Sequence, residues 1–208
     1  MTHPQRLPGK IVCVGRNYAA HARELGNDVP DRPMLFLKPP SAVIGDGAAI
    51  RLPAESERVE HEAEIGVVIG ARLRRVTAQE AMHGVAGYVA LNDVTARDLQ
   101  RLDVQFTRAK GFDTFCPVGV SAAHDDWRSL EVIGRVNGTV RQHGRAADMI
   151  FGIPDVLSYI SAIMTLEPGD IVATGTPEGV GPLRPGDVVE VEIPGVSRVR
   201  NRVEAATQ

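Results

Sequence analysis

The sequence predicts a strand-rich α+β fold, and three observations predict it. Short β-type runs recur along the chain, most of them closed by Gly, Pro or Asn-Gly. Helical patterning is confined to a few short segments. The two kinds of element do not alternate regularly, which argues against a doubly wound parallel sheet or a TIM barrel. A length of 208 residues suits a single domain, taken as residues 10–208 behind an N-terminal extension of residues 1–9.

Taken in order, Lys10–Val14 is a short β run ended by Gly15, and Met34–Leu37 is another, followed by Lys38-Pro39-Pro40. His61–Ile69 alternates and then becomes continuously apolar, as a strand with one exposed and one buried end does. Val85–Leu91 reads as a buried strand. Leu130–Val136 and Thr139–His143 flank Asn137-Gly138, a strong hairpin signal because both turn residues tolerate positive φ. Ile171–Ala173 is a further strand, and Val188–Ile193 turns at Pro194-Gly195 and returns through Val196–Val203. Three helices are expected. Tyr18–Leu25 has Asn17 as N-cap and Gly26 as its stop, and Thr77–His83 is short. The third starts with Pro154 at its first position and carries Val156, Leu157, Ile160, Ile163 and Met164 on one stripe.

Composition narrows the function. Hydrophobic residues at 43% and charged residues at 24% are globular values, and aromatics at 4% leave the core to aliphatic side chains. A net charge of −3 offers no basic footprint for nucleic acid or an anionic membrane surface. The only lysines are Lys10, Lys38 and Lys110, so each lysine draws attention to its place. Cys13 and Cys116 sit in apolar contexts without metal-ligand spacing, as free thiols of a reducing compartment do. With no apolar leader and no membrane-length apolar run, a cytoplasmic protein is expected.

The sharpest local feature is VEHEAEIG, which places Glu60, Glu62 and Glu64 at period two ahead of an apolar strand. Unpaired carboxylates there are costly to desolvate, and a divalent cation removes that cost. Two of the three can reach one ion while the third lies outside; a solvated strand edge is the competing reading. Asp93 falls where the strand Val85–Leu91 ends, either as a third ligand or as the N-cap of a helix through Arg101. Three carboxylates with open positions suit a hard cation of the Mg²⁺ type.

His21 and Glu24 share a helix face at i and i+3, where a carboxylate can fix the imidazole tautomer and raise its basicity for deprotonating water. A plain surface pair is the alternative. Lys110, between apolar residues and before Gly111, is a candidate buried charge near an anion, against a snorkelling surface lysine. The loop TGTPEGVG at Thr174–Gly181 has the composition of an anion-binding nest or of a tight turn.

The ordered motifs VGRNYAAHARELG, PMLFLKPPSAVIG, VEHEAEIGVVIG, GYVALNDVTARDLQ, AKGFDTFCPVG, VNGTVRQ and ATGTPEGVGPL cover nearly the whole chain. With them the sequence resembles the fumarylacetoacetate hydrolase family in its short, acylpyruvase-like form. The resemblance implies a mixed-sheet β-roll and a homodimer. It implies Mg²⁺ or Mn²⁺ held by Glu62, Glu64 and Asp93, and a water-activating dyad of His21 and Glu24. It implies catalytic Lys110 and substrate contacts from Arg16, Arg97, Gln100 and Thr176. The segment between Gln100 and Lys110 is shorter than in acylpyruvases, which leaves the pocket's shape open.

The expected reaction is hydrolysis of a carbon–carbon bond in a small 2,4-diketo acid, such as an acylpyruvate or fumarylpyruvate, to pyruvate and a carboxylic acid. Isomerisation of 2-hydroxy-2,4-diene dioates and decarboxylation of oxaloacetate use the same enolate chemistry. A silent metal-binding dimeric scaffold is the non-enzyme alternative.

Overall fold

The structure, a computed structural model, describes residues 7–24, 26 and 28–205. The end of the first expected helix, Leu25, and most of the N-terminal extension lie outside the described residues. Two five-stranded mixed sheets dominate. The first runs in the order Met34–Lys38, Ile11–Gly15, Ile171–Ala173, Ala63–Ile69, Val85–Asn92, with only Ile11–Gly15 and Ile171–Ala173 paired in parallel. The second runs Thr139–Arg145, Glu131–Val136, Val188–Ile193, Ser197–Ala205, Ala49–Leu52, antiparallel except for its last pair.

The sheets face each other across an aliphatic core. Ile65, Val67 and Ala90 from the first sheet meet Val132, Val191 and Val199 from the second, and the helix Ile153–Ile163 closes one side with Ile153, Val156, Leu157 and Ile160. The strand Val188–Ile193 shows why this works locally: its residues alternate between half-buried and buried, so every second side chain reaches the core. The Asn137-Gly138 hairpin forms as expected, with φ values of 52° and 78°. Thr77 caps the short helix Ala78–Met82 through a reciprocal box with Glu80.

Several expectations change. The single strand expected over His61–Ile69 is two strands, Val59–His61 and Ala63–Ile69, in different sheets. The chain changes sheet at Glu62, whose N–H donates to the Asn92 side chain (3.0 Å) while its carbonyl accepts from the Asp93 N–H (2.9 Å). Asn17 is not spent on a helix cap: its amide bonds Phe151 and Thr174 and ties the first helix, Ala19–Glu24, to the end of a central strand. Pro154 occupies the second helical position behind the cap residue Gly152, and Ile163 leaves the predicted stripe, exposed in the last turn. Asp93 caps no helix; the helix Arg97–Leu102 begins after Ala96. The two-residue strands and the helix Thr107–Lys110 are too short to show a period in sequence.

Candidate active site

Three segments deliver the acids. Glu62 sits at the crossover between sheets, Glu64 on the strand Ala63–Ile69, and Asp93 just past the strand Val85–Asn92, which pairs with it. One carboxylate oxygen from each lies within 4.8 Å of the others, and all three residues are buried. Glu60 stands apart, accepting from Arg58 (2.6 Å) and from Arg97 Nε (2.7 Å). The period-two triplet thus divides into two residues in the cluster and one outside it.

Buried cations surround the acids. Lys110 Nζ donates to Glu62 Oε2 (2.8 Å) and Asp93 Oδ2 (2.6 Å), and stands 4.9 Å from the centre of the Phe36 ring. Arg97 donates to Glu62 Oε1 and Glu60 Oε2, and also to Gln100 Oε1 (2.5 Å). Because Arg97 can only donate, Gln100 presents its oxygen there and keeps its amide N–H groups for the pocket. Lys38 was not among the site residues read from sequence. Its Nζ donates to Asp93 Oδ1 (2.5 Å) and the Val94 carbonyl (3.1 Å). The signal for it was present: all three lysines of the chain are paired with buried acids, Lys10 with Asp170 being the third pair.

The charges explain the titration behaviour. Burial opposes ionisation of Glu62, but Lys110 and Arg97 outweigh it and hold its carboxyl well below the usual range. Glu64 goes the other way: burial, then the charges of Asp93 and Glu62, push its carboxyl well above that range, against the pull of Lys110 and the Gly175 N–H. Burial likewise opposes the charge on Lys110, yet Asp93 and Glu62 raise its ammonium above the ordinary lysine value. Of the four buried acids, Glu60 is paired with Arg58 and Arg97, Glu62 with Arg97 and Lys110, and Asp93 with Lys38 and Lys110, while Glu64 has no side-chain cation among the described residues. The donor set fits a divalent cation. It is all carboxylate oxygen, without thiolate or imidazole, as Mg²⁺ and Mn²⁺ prefer.

The same acids line a cavity of about 240 Å³ together with Arg16, His21, Met34, Phe36, Arg97, Gln100, Arg101, Phe106, Lys110 and Thr176. Every site residue expected from sequence except Glu24 therefore lines this space. Glu24 stands behind His21, with its Oε2 3.3 Å from His21 Nδ1; His21 is 4% exposed. Arg16 turns the chain into the pocket with φ at 58°, a left-handed value costly for an arginine. The TGTPEGVG loop is not an open nest. Gly175 N–H donates to Glu64 Oε2 (2.8 Å), and Gly179 N–H to both oxygens of Glu24 (3.1 and 3.2 Å). The loop's amides hold the chain's own carboxylates.

The family model of the fumarylacetoacetate hydrolase C-terminal domain matches residues 10–204. The chain belongs to the fumarylacetoacetate hydrolase family. It is 46% identical over 202 residues to a mitochondrial oxaloacetate tautomerase of Arabidopsis thaliana, covering 94% of this chain and 91% of that one. Among solved structures it is similar to a 5-carboxymethyl-2-hydroxymuconate delta-isomerase from Mycobacterium smegmatis, with TM-score 0.90 and 44% identity over 97% of this chain and 81% of that one. It is also similar to a fumarylpyruvate hydrolase from Pseudomonas aeruginosa in complex with Mn²⁺ and pyruvate. There the TM-score is 0.89 and the identity 31%, covering 96% of this chain and 91% of that one. The family thus spans hydrolases and isomerases. No helix among the described residues is long and apolar enough to cross a membrane.

Proposed function

We propose that this protein is a divalent-metal-dependent enzyme of short 2-oxo acids, and that its core step is proton transfer at the carbon beside the 2-oxo group. The substrate class we favour is the oxaloacetate type, interconverted between keto and enol forms. One observation carries the reading: three buried carboxylates within 4.8 Å of one another open onto a cavity that a histidine and several cations also line.

In this reading Glu62, Glu64 and Asp93 hold the cation, Mg²⁺ or Mn²⁺. When bound, it supplies Lewis-acid stabilisation of negative charge developing on the 2-oxo group. His21, held by Glu24, takes or returns the proton at the adjacent carbon. Lys110 keeps one N–H beyond its two carboxylate partners, and the Gln100 amide keeps its donors; both face developing oxyanion charge. Arg16 and Arg101 line the cavity and make no ion pair among the described residues, which suits a distal carboxylate. A cavity of about 240 Å³ favours a small acid. The 46% identity to an oxaloacetate tautomerase over nearly both full lengths supports the same class.

A second reading is hydrolysis of a 2,4-dioxo acid. The His21–Glu24 pair favours it, because the same imidazole can deprotonate water, whose oxygen would attack the distal carbonyl and release pyruvate and a carboxylic acid. The two readings separate in one assay series with Mn²⁺ present. Decay of enol-oxaloacetate absorbance above the spontaneous rate, with little pyruvate formed from acylpyruvates, supports the first. Pyruvate released from acylpyruvates with unchanged enol decay supports the second, and neither signal rejects both.

A further inference from the structure

Gln142 is 1% exposed, on a strand whose neighbouring residues Arg141 and His143 face solvent. The pairing of Glu131–Val136 with Thr139–Arg145 matches Gly134 to Gln142 and then Arg135 to Val140, so Arg141 is an extra, bulged residue. Such a bulge re-aims the side chain beside it, here Gln142, toward the first sheet. All its hydrogen-bonding capacity is then used. Its carbonyl oxygen accepts from the Ala63 N–H and from His61 Nδ1, both at 2.9 Å. Its amide nitrogen donates to Thr176 Oγ1 (2.7 Å) and the Pro177 carbonyl (2.8 Å).

The backbone partners fix the directions of these bonds. The Ala63 N–H can only donate and the Pro177 carbonyl can only accept, so Gln142 cannot be turned over. The Thr176 hydroxyl therefore accepts from Gln142, and its own proton goes to the Ala63 carbonyl at 2.9 Å. One lone pair is left on Thr176, and Thr176 lines the cavity. Toward a ligand this hydroxyl can accept and cannot donate. A keto oxygen or a carboxylate offers only lone pairs; an enol offers an O–H.

We propose, resting on the oxo-acid reading above, that Gln142 is a positioning residue: it holds Thr176 as a pure acceptor, which favours the enol form of the substrate over the keto form. The same contact seats the loop. At Gly179, φ is 94° and any Cβ would lie 2.0 Å from the Arg141 carbonyl oxygen, so the loop rests directly on the bulge. From there Gly179 reaches Glu24, and Glu24 reaches His21.

The test uses calorimetric titration of the Mn²⁺-loaded protein with two probes. Oxamate carries an N–H donor; oxalate carries acceptors only. Each probe is compared with itself across variants, so their different charges cancel. Thr176→Val is expected to weaken oxamate by about 3–10-fold, the worth of one hydrogen bond, and to leave oxalate within about twofold. Thr176→Ser is expected to restore oxamate binding. Gln142→Met is expected to lower the preference for oxamate in the same sense and to raise KM for the enol substrate; if it does not fold, the Thr176 pair decides. Equal effects on both probes, or no effect of Thr176→Val on either, would overturn the inference while leaving the oxo-acid reading intact. Failure of the unmodified protein to bind either probe would reject that reading and this inference with it.

Discussion

Lys38 and Asp93 form an ion pair with both side chains wholly buried, Nζ to Oδ1 2.5 Å, and Lys110 takes the other oxygen of the same carboxylate. Asp93 therefore meets the pocket already oriented from two sides. Removing one partner of such a pair leaves a buried charge short of compensation, which costs about 3–5 kcal/mol. Lys38→Met should lower unfolding free energy by that order in urea denaturation of the metal-free protein. A loss below about 1 kcal/mol would mean that Lys110 alone satisfies Asp93.

Metal removal should destabilise the fold. Ligand binding to the native state alone adds about 2.7 kcal/mol at a hundredfold excess over Kd. Treatment with EDTA should therefore lower Tm, and Mn²⁺ should restore it. Asp93→Asn should abolish the Mn²⁺-dependent rise, whereas a rise of the same size in that variant would remove Asp93 from the ligand set.

The dyad makes a separable prediction. His21→Ala should reduce kcat by about 10²–10⁴, the usual worth of a positioned general base. It should leave the Mn²⁺-dependent Tm rise intact, since His21 lies outside the acid cluster. Glu24→Ala should lower kcat and also loosen the loop that Gly179 anchors, seen as faster amide exchange over Thr174–Gly181. Unchanged exchange would show that the loop is held by Gln142 and the bulge alone.

The two cysteines should be silent to thiol reagents in the native state. Both are 0% exposed; burial raises the Cys13 thiol well above its ordinary range and the Cys116 thiol to about 12. A raised pKa keeps each sulfur protonated at pH 8, and the thiolate is the reactive form. Ellman's reagent should count no thiols before denaturation and two after it. Fast reaction without denaturant would contradict the described packing.

Much of this was legible in the chain. Strands came from alternation and turn chemistry, as in Val188–Ile193, whose bounds match the expectation. The acid cluster showed because Glu62 and Glu64 stand at period two ahead of an apolar strand. Features that depend on a distant partner did not show. The break at Glu62 needs the Asn92 side chain, 30 residues away. Lys38 and Asp93 lie 55 residues apart, at the ends of the two opposite edge strands of the first sheet, so only the folded chain joins them, although the scarcity of lysine marked Lys38. The bulge that aims Gln142 inward leaves no periodic trace, and the glycine loop showed the composition of an anion nest but not that its anions would be Glu64 and Glu24.

Whether one divalent ion sits among Glu62, Glu64 and Asp93 is best tested by anomalous diffraction from crystals grown with Mn²⁺. A single strong peak is expected within bonding distance of one oxygen from each of the three carboxylates. A map with no peak there, or with manganese held at other residues, would contradict the three-carboxylate site.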